Sequence, residues 1–456
     1  MVATSRRKMI GICDLPTLKR LFTFFLFLVW GVVLTSCSKQ VTWPPPPLHS
    51  AEFLEDKSIQ IQADIYYDAT LSMQGFTKPG IATAYAQVLN ELEGSITSGW
   101  ASSVVRFYRF GTKIKELKGR DHLLAITPKF FTDKELLQET LMSTVIDSAK
   151  TQHLTVIVTD LFLNNADVTQ LVNKLRDKFL ARGFAVGIIG VQSEFAGTVY
   201  DVGINRDQFE YAGQRPFYVL AVGKHRDIEN FYLTLQARIL NRLSDTHFLL
   251  LSSYFSSAMP TFENGQITLK TDIDEVENIF PHDVIDHRVE QLRIKSKHQS
   301  SQIGFSLSRT SLRYAMALNP SAIETELSMR MVGSVNGKDS LVLCDNAAEL
   351  LTVNGFGLTD SSLQFMLSFN NNENLSEGVY VIQQVVRPKP HVDLMPTWIS
   401  DWDMDITKLP SWKADTKDFD GQKTLNLKKF AFEMWQTIIQ TQSPEILHLF
   451  YYLRKE

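Results

Sequence analysis

The stretch that decides the fold is Ile61-Gln-Ala-Asp-Ile-Tyr-Tyr-Asp-Ala-Thr-Leu-Ser-Met73. Its first half is typical of a buried strand, and its second half is the loop that leaves the strand's carboxyl end. Asp68, Thr70 and Ser72 alternate in this loop, so their side chains can point the same way. Three such oxygens suit a hard cation such as Mg²⁺. The alternative is an Asx or ST turn, in which they cap backbone N–H groups.

A second apolar stretch, His153-Leu-Thr-Val-Ile-Val-Thr-Asp-Leu161, ends in a carboxylate at Asp160. A run that is apolar on both faces is typical of a central strand in a parallel sheet covered by helices. Two such strands would place Asp68 and Asp160 at the same edge of the sheet. Open α/β sheets bind their ligands at that edge. The second stretch therefore favours the metal site over the simple turn.

The pattern Asp68-x-Thr70-x-Ser72, followed by Thr159-Asp160, resembles the metal-ion-dependent adhesion site of von Willebrand factor A (vWA) domains. The usual form in that family is D-x-S-x-S, a lone Thr before a helix, and T-D-G at the end of a strand. The resemblance covers roughly residues 55–245. It implies a doubly wound, mostly parallel sheet flanked by helices. It also implies a divalent ion whose coordination is completed by an acidic side chain of a protein partner.

The sequence departs from the family pattern at three positions. Thr70 replaces a Ser, and its hydroxyl can still coordinate a cation. Leu71 stands where the family has the Gly between the two hydroxyl residues, which restricts how closely a partner can approach. Leu161 stands where the family has the Gly after the second Asp.

The fourth ligand that the resemblance implies is a loop threonine, and we assign it to Thr132. Thr132-Asp-Lys-Glu135 predicts a helix N-terminus with a capping box, and the helix would extend to about Ala149. Capping that helix is the alternative role of Thr132. Thr140 and Thr144 would lie within the helix and are poorer candidates. The resemblance thus implies Mg²⁺ or Mn²⁺, with Ca²⁺ as an alternative, at a site of Asp68, Thr70, Ser72, Thr132 and Asp160.

The N-terminus has the pattern of a secretory signal over residues 1–36. Basic residues precede an apolar run from Leu21 to Leu34, which is too short for a membrane span of about 20 residues. Leu34-Thr-Ser-Cys37 resembles a bacterial lipobox, in which Cys37 is lipidated and becomes the mature N-terminus. An uncleaved anchor is the alternative. Either anchor tethers the chain to a membrane outside the cytoplasm, and residues 37–54 then form a proline-rich linker.

Charge and cysteine content narrow the possible partners. Removing residues 1–36 takes away five basic residues and one acidic residue, so the formal net charge moves from −4 to −8. Such a balance argues against nucleic acid and against a polybasic contact with lipid. Cys13 leaves with the signal and Cys37 carries lipid, so Cys344 has no partner for an internal disulfide.

Residues 55–256 are predicted to form the vWA-like domain, because strand-like and helix-like stretches alternate along them. The predicted strands are 61–68, 103–110, 113–117, 153–160, 183–191, 216–223 and 248–255, with a polar and aromatic insertion at 192–215. The predicted helices are 79–99, 132–149, 165–182 and 226–242. Strands that alternate with helices imply crossover connections and hence a doubly wound sheet.

The sequence pattern changes after residue 256, where alternating strand-like and helix-like stretches give way to short strand-like runs. Residues 257–395 contain short alternating runs and turn signals such as Val335-Asn-Gly337, which predict a β-rich, sandwich-like domain. Residues 396–456 contain Trp398, Trp402 and Trp412 and are predicted to end in two helices, 424–441 and 444–453.

Three functions remain open from the sequence. The first is a binding module that recognises a protein partner through the metal, and it is not an enzyme. The second is a metal-assisted hydrolase that uses the same carboxylates with His282 or His287. The third is a structural envelope protein with a decayed metal site. Asp401-Trp-Asp-Met-Asp405 lacks the glycine turn and distal Glu of a calcium loop and is predicted to be an acidic loop.

Overall fold

The computed structural model describes most of the chain after the linker. It covers residues 57–455 except 78–81, 138–139, 164, 203–206, 255–259, 271–275, 280–288, 295–299, 310–313, 315, 317–318, 336–337, 359–361, 371–373, 390–394 and 405–419. The predicted signal, Cys37 and the linker lie outside the described residues. Within the described residues, no helix is long and apolar enough to cross a membrane.

The first part of the chain forms a seven-stranded mixed sheet with strand order β3-β2-β1-β4-β6-β5-β7. Its strands are β1 (Gln60–Asp68), β2 (Ser102–Phe110), β3 (Ile114–Leu117), β4 (Leu154–Thr159), β5 (Ala185–Val202), β6 (Asp207–Gly223) and β7 (Thr246–Leu251). The helices are α1 (Leu71–Gln74), α2 (Ala84–Gly99), α3 (Met142–Ser148), α4 (Asn165–Lys178) and α5 (His225–Arg238). The α/β class predicted from the sequence is therefore confirmed.

The seven-stranded sheet combines parallel and antiparallel pairs. β1 pairs in parallel with β2 and β4, and the β2–β3 hairpin forms as predicted. The predicted insertion at 192–215 is wrong, because β5 and β6 continue through it as one long hairpin. β6 runs antiparallel to both neighbours, β4 and β5, and β7 runs antiparallel to β5.

The helix predicted at 132–149 is also wrong. Residues Pro128–Thr132 form a 3₁₀ turn, and the α-helix begins only at Met142. The charged residues of the expected capping box form ion pairs with β2 and β3. Asp133 contacts Arg109 at 3.0 Å and Lys115 at 2.7 Å, and Glu135 also contacts Lys115. The capping-box residues therefore make long-range ion pairs to β2 and β3 in place of a helix N-terminus.

Besides a short two-stranded sheet, the remainder of the described chain builds two further sheets, of six and four strands. Their strands are β8 (Pro260–Lys270), β9 (Val276–Ile279), β10 (Val289–Ile294), β11 (Ser300–Arg309), β12 (Ile323–Val335), β13 (Lys338–Leu343), β14 (Leu351–Leu358), β15 (Ser362–Asn370), β16 (Gly378–Pro388) and β19 (Leu447–Lys455). All their pairs are antiparallel except β10 with β19. A short helix, α6 (Ala347–Leu350), precedes β14, and both sheets contribute buried side chains to one core.

The C-terminal segment, from residue 396 onward, contacts the first sheet through α8 and adds the strand β19 to the six-stranded sheet. The segment contains α7 (Thr397–Asp401), β17 (Asp403–Met404), β18 (Thr424–Leu425) and α8 (Leu427–Gln442). α8 packs on α4 beside the first sheet. The helix predicted at 444–453 is wrong, because this stretch is β19, which lies between β16 and β10. Leu447, Leu449 and Leu453 are buried at alternate positions, which is the strand period.

Candidate functional site

The site is built at the carboxyl ends of β1 and β4. Tyr67 pairs with Val158 across these parallel strands, so Asp68 at the end of β1 is level with Thr159 at the end of β4. The backbone N–H of Ala69 donates to the carbonyl of Phe110 at the end of β2 and holds the chain as it leaves β1. Two parallel pairings therefore set the position of Asp68 from both sides.

Asp68 is the centre of a hydrogen-bonded cluster. Its Oδ1 accepts from the backbone N–H of Thr70 at 3.0 Å and from the Thr70 hydroxyl at 2.6 Å. Its Oδ2 accepts from the hydroxyl of Thr159 at 3.0 Å and from that of Thr140 at 3.4 Å. The Asx turn and the convergence of oxygens are thus present together, because the turn folds the loop hydroxyl back onto the carboxylate.

Three hydroxyls meet beside this carboxylate. The Oγ1 of Thr70 lies 3.2 Å from the Oγ of Ser72 and 3.1 Å from the Oγ1 of Thr140. Thr132 is elsewhere, exposed to solvent, with its hydroxyl donating to the carbonyl of Lys129 at 3.0 Å. The structure therefore brings Thr140, and not Thr132, to the predicted site. Thr140 lies two residues before the first residue of α3, and this signal was missed because the helix was predicted to begin at 132.

Asp160 contacts a positive charge that the sequence did not indicate. Its Oδ2 lies 3.5 Å from Nη2 of Arg215 on β6, and the two side chains are 4% and 2% exposed. The guanidinium lies between the rings of Phe162 and Phe195 and donates to the carbonyl of Gly421 at 3.3 Å. The ion pair places a fixed cation at the second carboxylate. Arg215 was missed because it falls in the predicted insertion.

The electrostatics distinguish the two carboxylates. Burial and the nearby charge of Asp160 raise the pKa of Asp68 to about 7, against the lowering effect of hydrogen bonds from Thr70 and Thr159. The Asp68 carboxyl therefore holds a proton more tightly than a solvent-exposed carboxyl does. Burial also lowers the pKa of the Arg215 guanidinium, which Asp160 opposes. Asp68 is therefore the carboxylate that gains most from an added cation.

Two distant segments enclose the cluster. The β5–β6 hairpin crosses the loop after α1, where the N–H of Ala196 donates to the carbonyl of Gly75 at 2.9 Å. A Cβ on Gly197 would lie only 3.1 Å from the Gly75 Cα, so this crossing is close. From the C-terminal segment, Asn426 donates to the carbonyl of Leu163 at 2.9 Å. Asp68 and Asp160 are buried, whereas Ser72 and Thr140 are half-buried, so access is from the side of these hydroxyls.

Leu161 has a backbone conformation that glycine favours. Its φ is +51°, in the left-handed region, at the position where the vWA pattern has Gly. This conformation costs a non-glycine residue roughly 1–2 kcal/mol. Leu161 is 2% exposed in the core, and burying a leucine contributes about 1.5–3 kcal/mol, which offsets the strain.

The residues present fit a hard divalent cation by their chemistry. All the groups that converge are oxygens, one carboxylate and three hydroxyls, as Mg²⁺ and Mn²⁺ require. Asp68, Thr70, Ser72 and Thr140 would hold the ion. Within the described residues no three His, Cys, Asp or Glu side chains form a metal cluster, so a site here depends on its hydroxyls.

The other candidates from the sequence do not join this site. His282 and His287 lie outside the described residues. Asp403 accepts from the backbone N–H of Lys428 at 3.0 Å and so caps α8. Trp398 and Trp402 are buried, and their rings pack against Gly190 of β5.

No family model matches the chain, and no curated protein matches it. The resemblance to vWA domains therefore rests on the sequence motif alone.

Proposed function

We propose that this chain is a lipid-anchored, extracytoplasmic protein whose vWA-like domain binds a protein partner through a divalent cation. The observation that carries the proposal is the convergence of Asp68, Thr70, Ser72 and Thr140 at the end of β1. A bound cation supplies a positive centre that an acidic side chain of the partner can ligate.

The chain's own residues have separate tasks in this proposal. Asp68 supplies the negative charge, and its hydrogen bonds with Thr70 and Thr159 fix the orientation of the carboxylate. Arg215 neutralises Asp160, so only one uncompensated carboxylate faces the ion. The half-buried hydroxyls of Ser72 and Thr140 mark the side from which a partner's carboxylate approaches. In this proposal the ion serves recognition of the partner.

Paired threonine substitutions test the cation site. Wild-type protein should gain roughly RT ln(1 + [L]/Kd) from Mg²⁺ or Mn²⁺, about 2.7 kcal/mol at a hundredfold excess over Kd. Thr140→Val keeps the side-chain shape but removes a hydroxyl from the cluster, so most of this gain should disappear. Thr132→Val is the matched control and should keep the full gain. The measurement is a thermal melt in chelator and in millimolar metal; an equal gain in both variants would contradict the site.

Partner binding should follow the same pattern. An envelope extract passed over immobilised protein should yield a bound protein in Mg²⁺ that is released by chelator and is not retained by Thr140→Val. Retention of that protein by Thr140→Val in chelator would show that its binding does not use the cation.

The lipid anchor is tested separately at Cys37. Wild-type protein produced in bacteria should incorporate labelled fatty acid and lose residues 1–36, because Leu34-Thr-Ser-Cys37 resembles a lipobox. Cys37→Ala should remain unlabelled and unprocessed, whereas Cys344→Ala should be labelled like wild type. Wild-type protein that takes up no label would refute the anchor.

A further inference from the structure

A cavity of about 380 Å³ lies at the opposite edge of the seven-stranded sheet from the cation site. β1 and β4 begin at this edge, and β6 ends there. The walls come from Ser58 before β1, from residues 151–153 before β4, and from the first turn of α5. Pockets that bind small ligands usually measure about 300–1,000 Å³. The cavity is therefore large enough for a small molecule.

One wall is an imidazole held by a buried carboxylate. The Nδ1 of His153 lies 2.6 Å from Oδ2 of Asp64, and the two side chains are 7% and 3% exposed. A carboxylate only accepts, so Nδ1 carries the proton, and in the neutral imidazole Nε2 is then left as an acceptor. Among the residues that the structure describes, the other oxygen of Asp64 has no hydrogen-bond partner. Burying a carboxylate with one oxygen unsatisfied is a poor way to stabilise a fold, which points to a role at the cavity.

A second carboxylate is fixed at another wall. Asp227, in the first turn of α5, accepts from the backbone N–H of Ser58 and from the Ser58 hydroxyl, both at 2.7 Å. These two bonds hold the carboxylate still and tie α5 to the chain before β1. An ionised carboxylate has about four acceptor positions, so Asp227 can accept further hydrogen bonds from a ligand.

The charges and surfaces of the cavity select a class of ligand. Lys224 and Asp227 have opposite charges, so the lining carries little net charge. An anion would meet Asp227, and a cation would meet Lys224, which favours a neutral ligand. Thr151 and Gln152 add groups that both donate and accept hydrogen bonds. Phe184 adds an apolar wall, which suits the C–H face of a sugar ring.

We propose that this cavity binds a neutral polyhydroxylated molecule of monosaccharide size. One ligand hydroxyl donates to Nε2 of His153, and another donates to Asp227. The proposal does not depend on the cation site, because the two sites lie at opposite edges of the sheet.

The test uses saturation-transfer NMR on the full-length protein, purified in a detergent without a sugar headgroup. The probes are glucose, galactose, mannose and N-acetylglucosamine, each added alone, with inorganic phosphate and ethanolamine as charged competitors. At least one sugar should receive saturation, and neither competitor should displace it. Absence of transfer to all four sugars, or displacement by a charged competitor, would overturn the proposal.

Two variants locate the binding. His153→Gln removes the imidazole acceptor and should weaken the sugar roughly tenfold, the equivalent of about 1.4 kcal/mol. Gln152→Leu changes an exposed wall residue, leaves the core untouched and should also weaken binding. His122→Gln alters an imidazole that stacks on Phe107 away from the cavity and should bind like wild type. Unchanged affinity in Gln152→Leu and in folded His153→Gln protein would place the sugar elsewhere and refute the proposal.

Discussion

Asp68→Asn should make the metal-free protein more stable than wild type at pH 8, by up to about 4 kcal/mol. The folded-state pKa of Asp68 is about 7, because the carboxyl is buried beside Asp160. Its pKa in the unfolded chain is about 3.9. A shift of about three pH units at about 1.4 kcal/mol per unit sets the upper limit of the effect.

The sign of the pH dependence follows from proton uptake. Between pH 4 and 7 the folded chain binds more protons at Asp68 than the unfolded chain, so stability falls as pH rises through this window. The Asn side chain carries no proton to lose, so this part of the fall should be absent in the variant. Urea unfolding in chelator at pH 5, 6, 7 and 8 measures the difference between the two proteins.

Added metal should make the wild type more stable than Asp68→Asn. In millimolar Mg²⁺ at pH 8 the wild type should regain the lost stability, because the cation compensates the buried carboxylate, whereas Asp68→Asn should gain little.

Asp133→Asn is the control for the pH dependence, since a hydrogen bond from Lys115 lowers the pKa of Asp133. The Asp133 carboxylate therefore stabilises the folded protein less as the pH falls, which is the opposite of the pH dependence expected from Asp68. If the free energies of unfolding of wild type and Asp68→Asn change with pH in parallel, the pKa of Asp68 is not raised in the folded state.

The second large effect is expected at Arg215. Arg215→Met keeps much of the packing between Phe162 and Phe195 but leaves Asp160 buried without its cation. Breaking a buried ion pair by removing one partner typically costs 3–5 kcal/mol. We expect a loss of this size in urea unfolding at pH 7 in chelator.

A double-mutant cycle separates charge from packing. Asp160→Asn combined with Arg215→Met should recover most of the loss, because no uncompensated charge then remains. Arg226→Met is the control, since its pair with Glu229 is partly exposed and should contribute about 0–1 kcal/mol. If Arg215→Met costs no more than Arg226→Met, the guanidinium does not hold Asp160.

Parts of the fold and site were predictable because their signals are local. β1 and β4 are apolar runs that end in carboxylates, and the structure has them within one residue of the predicted bounds. Asp68 and Thr70 are two residues apart, so the turn that joins them needs no distant contact. The signal for β19 was also local, because Leu447, Leu449 and Leu453 alternate with the period of a strand, but this stretch was predicted to be a helix.

The remaining features depend on residues far apart in the chain. Thr140 reaches Asp68 because α3 begins only at Met142, after a segment that pairs through Asp133 with β2 and β3, and local propensity does not contain those contacts. The sequence by itself determined the two strands and the carboxylates at their ends, through residue periods and short-range turns. Only the tertiary structure decided that Arg215 would neutralise Asp160, because a charge is costly to bury until a distant partner compensates it.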